Sequence, residues 1–104
     1  MMSPCILVID NDVKLLVNLE ATLNRAGYRV LTAHDGRQAV YLAQAARPEV
    51  IICDVTRASR NDVDVRSTLA QDSQTASIPL IPLTKDRHEL VARVNATIRS
   101  HAIS

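Results

Sequence analysis

Four short runs rich in Val, Ile and Leu restrict most strongly how this chain folds. They lie at residues 5–9, 28–33, 50–53 and 78–83, and each is followed by a longer, more polar segment. Short apolar, β-branched runs of this kind are typical of strands buried on both faces, as in parallel sheets. The alternation predicts the order βαβαβαβα, an α/β fold with an open parallel sheet and helices on both faces.

The segments between these runs carry apolar residues at helical spacing. Three of the four helices are clear, whereas in the third only Val65 and Leu69 are in phase, after a polar loop at 56–61. Gly27 is expected to end the first helix and Pro48 to limit the second. Caps are predicted at the second and last helices, from Asp35 with Gln38 and from Asp86 with Glu89.

Length and composition exclude several classes of protein. The 104 residues suit one domain, 1–104, with no room for an output domain. A net charge of +1 and only two aromatic residues argue against nucleic-acid binding. No apolar run is long enough to cross a membrane, so a cytoplasmic protein is expected. Cys5 and Cys53 are predicted at opposite ends of neighbouring strands, about 13 Å apart, too far for a disulfide.

Polar residues follow three of the predicted strands where those strands end. They are Asp10, Asn11 and Asp12 after the first strand, Asp54 after the third and Thr84 after the fourth. The carboxyl ends of parallel strands are where open α/β sheets bind ligands. Clustered carboxylates repel one another unless a cation lies between them, and Mg²⁺ prefers such oxygen ligands. A carboxylate beside Mg²⁺ can also accept a phosphoryl group.

In the order and spacing of these motifs the chain resembles the receiver domain of two-component response regulators, a flavodoxin-like fold. The resemblance extends without gaps from Cys5 to Thr84 and rests on residues 6–12, 26–28, 35–36, 47–48, 51–55 and 78–84. It implies that Asp54 accepts phosphate from a phosphohistidine, that Asp10 and Asp54 bind Mg²⁺, and that the Thr56 carbonyl is a further metal ligand. The Thr84 hydroxyl is then expected to hydrogen-bond a phosphoryl oxygen.

Several positions depart from the family pattern. Asn11 replaces the second acid of the family's pair, which predicts weaker Mg²⁺ binding, and Asp12 is a candidate substitute as well as a natural N-cap. Lys85 is either the family's phosphate-pairing lysine or a solvated residue at the start of the last helix. The loop after Asp54 lacks the family's Pro and Gly, with Ala58 and Asp62 in their places.

The largest departure follows Thr84, where the family continues with a fourth helix and a fifth strand. Here the chain passes directly into what resembles the family's last helix, so about 20–25 residues are missing. Pro82 supports this, because a proline within a strand belongs at a sheet edge. The predicted sheet therefore has four strands in the order 2-1-3-4, with two helices on each face.

These sequence features are compatible with two functions. The first is a stand-alone receiver in phosphorelay signalling, phosphorylated on Asp54 by a histidine kinase or phosphotransfer protein with Mg²⁺ bound. The second is a phosphorylation-independent, receiver-derived interaction module that forms a homodimer through surface left by the deletion. An enzyme is not expected, because no glycine-rich phosphate loop follows the first strand and no nucleophile–base pair is evident.

Overall fold

The computed structural model describes residues 3–53, 60–84 and 86–103 as four strands alternating with four helices. The elements in chain order are β1 Cys5–Ile9, α1 Val13–Arg25, β2 Arg29–Ala33, α2 Gly36–Ala46, β3 Val50–Cys53, α3 Arg60–Gln71, β4 Leu80–Pro82 and α4 Arg87–Ile103. The strands pair in parallel in the order β2-β1-β3-β4. The predicted fold and strand order are therefore confirmed.

The core is divided into two layers by the sheet, because alternate side chains of a strand point to opposite faces. Ile6, Val8 and Ile52 face α1 and α4, where Leu90 and Val94 are also buried. The opposite face packs against α2 and α3, with buried residues Leu7, Ile9, Ile51, Ala39, Ala43, Val65 and Leu69. Helix α3 therefore packs against the sheet through Val65 and Leu69, the two residues at helical spacing in its sequence.

The helix starts and stops follow local signals in the sequence. The Asp35 carboxylate accepts from the Gln38 amide at 2.8 Å and caps α2. Asp86 does the same for α4, accepting from the amides of His88 and Glu89. Gly27, with φ +97°, follows α1 in the left-handed conformation that glycine adopts without strain. These predicted boundaries are confirmed.

Three elements differ from their expected bounds. Strand β2 begins at Arg29, one residue later than predicted. Helix α3 begins at Arg60, inside the segment predicted as loop. Its first residues are polar, and composition alone does not separate a loop from the solvent face of a helix. Strand β4 has 3 residues rather than six, beginning at Leu80. The Ile78 amide donates to the Thr75 carbonyl at 3.0 Å, so this residue still belongs to the preceding turn.

Pro82 lies on the edge strand β4, as predicted. The Pro79 carbonyl and the Leu83 amide both bond to β3, at 3.0 Å each. Because backbone groups alternate between the two sides of a strand, the backbone of Pro82 points away from β3. Its missing N–H therefore costs the sheet no hydrogen bond.

Both cysteines are buried and they form no disulfide, as the sequence predicts. Cys5 begins β1, whereas Cys53 ends β3 opposite Ile9. The two thiols therefore lie at opposite ends of these neighbouring strands. Burial raises the pKa of the Cys5 thiol and outweighs the opposing effect of Arg29. Cys5 is thus a core residue and not an activated nucleophile.

The connection from β4 to α4 is short, since only residues 83–86 separate the two elements. Helix α4 packs beside α1, on the face opposite α2 and α3. Among the described residues, none of the helices has the length and apolar character needed to span a membrane.

Candidate functional site

The carboxyl ends of β1, β3 and β4 meet at one edge of the sheet. Ile9, the last residue of β1, is in register with Cys53 of β3, and Cys53 is in register with Pro82 of β4. Neighbouring strands lie about 4.8 Å apart. The polar residues that follow β1 and β4 therefore flank the point where β3 ends, one residue before Asp54 in the chain.

Asp10 is the buried acid of this edge, with only 6% of its surface exposed. Its amide donates to the Ala33 carbonyl at 3.0 Å, which extends the pairing of β1 with β2 by one residue. Its Oδ1 accepts from the Asp12 amide at 2.8 Å. A buried carboxylate is costly unless a positive group or hydrogen bonds compensate it. The fold thus holds a fixed, buried carboxylate where a cation would be stabilised.

Asn11 and Asp12 have a different environment, because both side chains are exposed. Asp12 is the N-cap of α1, and its Oδ1 accepts from the Lys14 amide at 3.0 Å and the Leu15 amide at 3.2 Å. The N-cap interpretation of Asp12 is therefore confirmed. Asn11 lies between the buried acid and the cap, at the surface of the same turn.

Thr84 is tied to the first turn of α4. Its hydroxyl donates to the Asp86 carbonyl at 3.2 Å, and the same carbonyl accepts from the Leu90 amide at 3.0 Å, the first turn's hydrogen bond. Asp86 in turn caps the helix through its carboxylate. The hydroxyl of Thr84 is thus linked to the start of α4 through one backbone carbonyl.

Three predicted site residues, Asp54, Thr56 and Lys85, lie outside the described residues. Within the described part of the chain, no three His, Cys, Asp or Glu side chains come together in a potential metal site. The structure therefore brings Asp10, Asn11, Asp12 and Thr84 to the edge formed by the ends of β1, β3 and β4. The atoms of these four side chains that can coordinate a metal are carboxylate, amide and hydroxyl oxygens, which suit a hard cation such as Mg²⁺.

An exposed apolar pair on α1 was missed by the sequence analysis. Val13 and Val17 are 61% and 60% exposed, on the first two turns of α1, directly after the acidic turn. Their spacing of four residues places them on one side of the helix, out of phase with the buried Leu16, Leu19 and Leu23. This second pair of apolar residues at helical spacing could have been recognised in the sequence.

The Response regulator receiver domain family matches residues 6–102 of the chain, up to the last turn of α4. Among curated proteins, Protein PilH of Pseudomonas aeruginosa is 31% identical over 84 residues, which is 81% of this chain and 69% of PilH. The chain covers a smaller share of the length of two other relatives. It covers 36% of the alkaline phosphatase synthesis transcriptional regulatory protein PhoP of Bacillus subtilis, with 33% identity over 85% of this chain.

The transcriptional regulatory protein PrrA of Mycobacterium tuberculosis is also 33% identical, over 93% of this chain and 51% of PrrA. That alignment extends over 118 residues, whereas the chain itself has 104 residues. PrrA therefore carries residues within the matched region that this chain lacks. This agrees with the short β4–α4 connection.

Solved structures of response regulators are also similar to this chain. The chemotaxis response regulator CheY4 of Vibrio cholerae is 28% identical, with a TM-score of 0.71 over 89% of this chain and 80% of CheY4. A putative response regulator from Chloroflexus aurantiacus, at 21% identity, has a TM-score of 0.81 over 94% of this chain and 99% of its own. The second similarity concerns the fold alone.

Proposed function

The chain belongs to the response regulator receiver domain family of two-component signalling, and on that premise we propose that it accepts a phosphoryl group on Asp54. The donor is a phosphohistidine of a histidine kinase or phosphotransfer protein. A carboxylate oxygen of Asp54 attacks phosphorus, the P–N bond to histidine breaks, and an acyl phosphate forms. The histidine leaves with the electron pair of that bond.

The observation that carries this proposal is the buried Asp10 carboxylate beside the end of β3. It is held by the Asp12 amide and lies one strand away from Cys53, the residue that precedes Asp54. Asp10, the Asn11 amide oxygen and the Thr56 carbonyl are the groups that would hold Mg²⁺. When bound, the ion would neutralise charge on the transferring phosphoryl group.

Asn11 is expected to weaken Mg²⁺ binding, because an amide oxygen coordinates without contributing negative charge. Asp12 is available only in part, since one of its oxygens caps α1. Thr84 would have to leave the Asp86 carbonyl in order to donate to a phosphoryl oxygen. Lys85 next to it would pair with phosphate or stay solvated.

The exposed pair Val13 and Val17 supports a protein partner at this edge. Both lie on α1 immediately after the acidic turn, so a phosphodonor protein that reaches Asp54 would cover them. Burying two exposed valines contributes favourably, at about 25 cal/mol per Å² of apolar surface. We therefore assign the first half of α1 to the donor interface.

The test is labelling with acetyl phosphate and Mg²⁺, followed on phosphate-affinity gels or by intact mass. Wild type should gain one phosphoryl group, whereas Asp54→Asn should gain none. Asp35→Asn is the matched control, because Asp35 is an exposed acid at the same edge of the sheet and should leave labelling intact. Unlabelled wild type with a normal circular dichroism spectrum would exclude the proposal.

The short β4–α4 connection favours a second candidate, an interaction module that acts without phosphorylation and forms a homodimer. It predicts a dimer at micromolar concentration by sedimentation, both with and without acetyl phosphate. A monomer under both conditions would reject the homodimer. Stand-alone action and a cytoplasmic location remain predictions that accompany the first candidate.

A further inference from the structure

We propose that the groove between α3 and β4 is a docking site for an amphipathic helix of a partner protein, with a carboxylate of that helix facing Arg66. The groove has a volume of about 470 Å³ and is open to solvent between the exposed Ala70 and Ala76. Its apolar lining comes from Ile51, Leu69, Ile78 and Leu80. The proposal does not depend on phosphorylation of Asp54.

The groove exists because the two faces of β4 are covered unequally. On one face Ile81 is buried in the layer formed with α1 and α4. On the other face Leu80, with Ile78 of the preceding turn beside it, packs only at the border of the α2–α3 layer and is partly exposed. Parallel sheets are normally covered on both faces, because their strands carry apolar side chains on both sides. Within the described part of the chain, no further element covers this apolar surface beside α3.

A strand is a poor occupant for this place. Strand addition needs outward-facing backbone donors on β4, and Pro82 has none at its outward position. Leu80, two residues earlier, carries the one outward N–H of this three-residue strand. The groove is also flanked by α3, and helices pack side by side at about 8–10 Å. A helix lying next to α3 needs no backbone donors from β4 and can pack against α3 at this distance.

The charge of the groove indicates which helix it accepts. Arg66 is exposed at its rim, and among the described residues the lining contains no Asp or Glu. A second copy of this chain, docked symmetrically, would bring two Arg66 residues to the same interface, and the described lining residues provide no acid to pair with them. A partner helix with Leu or Ile toward the groove and Glu toward Arg66 would bury apolar side chains against the lining and pair its carboxylate with the arginine.

The probe is a synthetic helical peptide with leucines at helical spacing on one face and glutamates beside them. Its twin carries lysine in place of each glutamate. Titrated into ¹⁵N-labelled protein, the acidic peptide should shift the amides of Leu69, Ala70, Ile78 and Leu80. It should bind about two- to fivefold more tightly than the basic twin, the range expected for an exposed ion pair. Arg66→Glu should reverse that preference.

Two exposed alanines provide a blocking variant and its control. Ala70→Arg fills the groove and should abolish the shifts, whereas Ala45→Arg on the outer side of α2 should preserve them. Absence of groove shifts at millimolar peptide, or binding that survives Ala70→Arg, would overturn the proposal. So would a dimer in sedimentation that Ala70→Arg converts to monomer, because the occupant would then be a second copy.

Discussion

Asp10 and Asn11 are adjacent in the chain but differ in environment. The Asp10 carboxylate is buried and hydrogen-bonded, whereas the Asn11 side chain is exposed. In the proposed Mg²⁺ site, Asp10 would hold the cation close to the end of β3, and residue 11 would decide how much negative charge surrounds it. Under the proposed function, the strength of Mg²⁺ binding would therefore be set at Asn11, one residue beyond the core.

Replacing Asn11 by Asp should therefore raise the affinity for Mg²⁺. One added unit charge about 4 Å from a cation contributes up to a few kcal/mol near a protein surface, which solvation and repulsion from Asp10 reduce. We expect at least a fivefold lower Kd by NMR titration with MgCl₂. Asn18→Asp adds the same charge on the exposed side of α1 and is the control. Equal affinities for Asn11→Asp and wild type would contradict this assignment.

At the scale of the elements, Asp72 joins α2 to the end of α3. Its Oδ1 accepts from the Gln74 amide at 2.9 Å, and its Oδ2 accepts from Gln44 Nε2 of α2 at 2.7 Å. These hydrogen bonds, that of the Gln74 amide first, lower the pKa of Asp72 below its usual value. A lowered pKa means that the ionised form stabilises the native state.

This linkage has a defined pH dependence. The contribution of Asp72 is fully present above the unfolded-state pKa, about 3.9, and is lost as the pH falls through the lower folded-state pKa. Asp72→Ala should therefore lower the urea midpoint at pH 7, and the gap to wild type should close below about pH 3.9. Gln44→Ala, which leaves the Gln74 bond intact, should show a smaller gap. A gap that is constant from pH 7 to pH 2.5 would contradict the linkage.

At the scale of the whole molecule, α4 completes the layer that covers the α1 side of the sheet. Leu90 and Val94 are fully buried there, with Leu19 and Leu23 of α1 in the same cluster. Because α4 follows β4 after only four residues, its docking also holds the edge strand in place. The fold therefore depends on this helix despite the mostly polar composition of its outer side.

Leu90→Ala should accordingly destabilise the whole domain by about 2–5 kcal/mol, the usual range for truncating a buried leucine. Val91→Ala is the comparison, since its side chain is half-exposed on the same turn and should cost about 1 kcal/mol or less. Urea denaturation followed by circular dichroism measures both. A loss below 1 kcal/mol for Leu90→Ala would show that α4 is dispensable for folding.

Most of the architecture could be predicted from short-range patterns. Apolar runs marked the strands, Asp35 and Asp86 marked helix starts, and Pro82 marked the edge of the sheet. Capping and strand burial act within a few residues, so they can be recognised without knowing what packs where. The strand order 2-1-3-4 came from the resemblance to receiver domains, and the handedness of the connections then placed the helices on the two faces of the sheet.

Other features depend on contacts between residues far apart in the chain. Burial of Asp10 beside exposed Asn11 and the open groove between α3 and β4 arise only when the elements assemble. Local preference determined the elements, whereas packing decided which side chains are buried and which surface stays open, because burial is a property of neighbours in space.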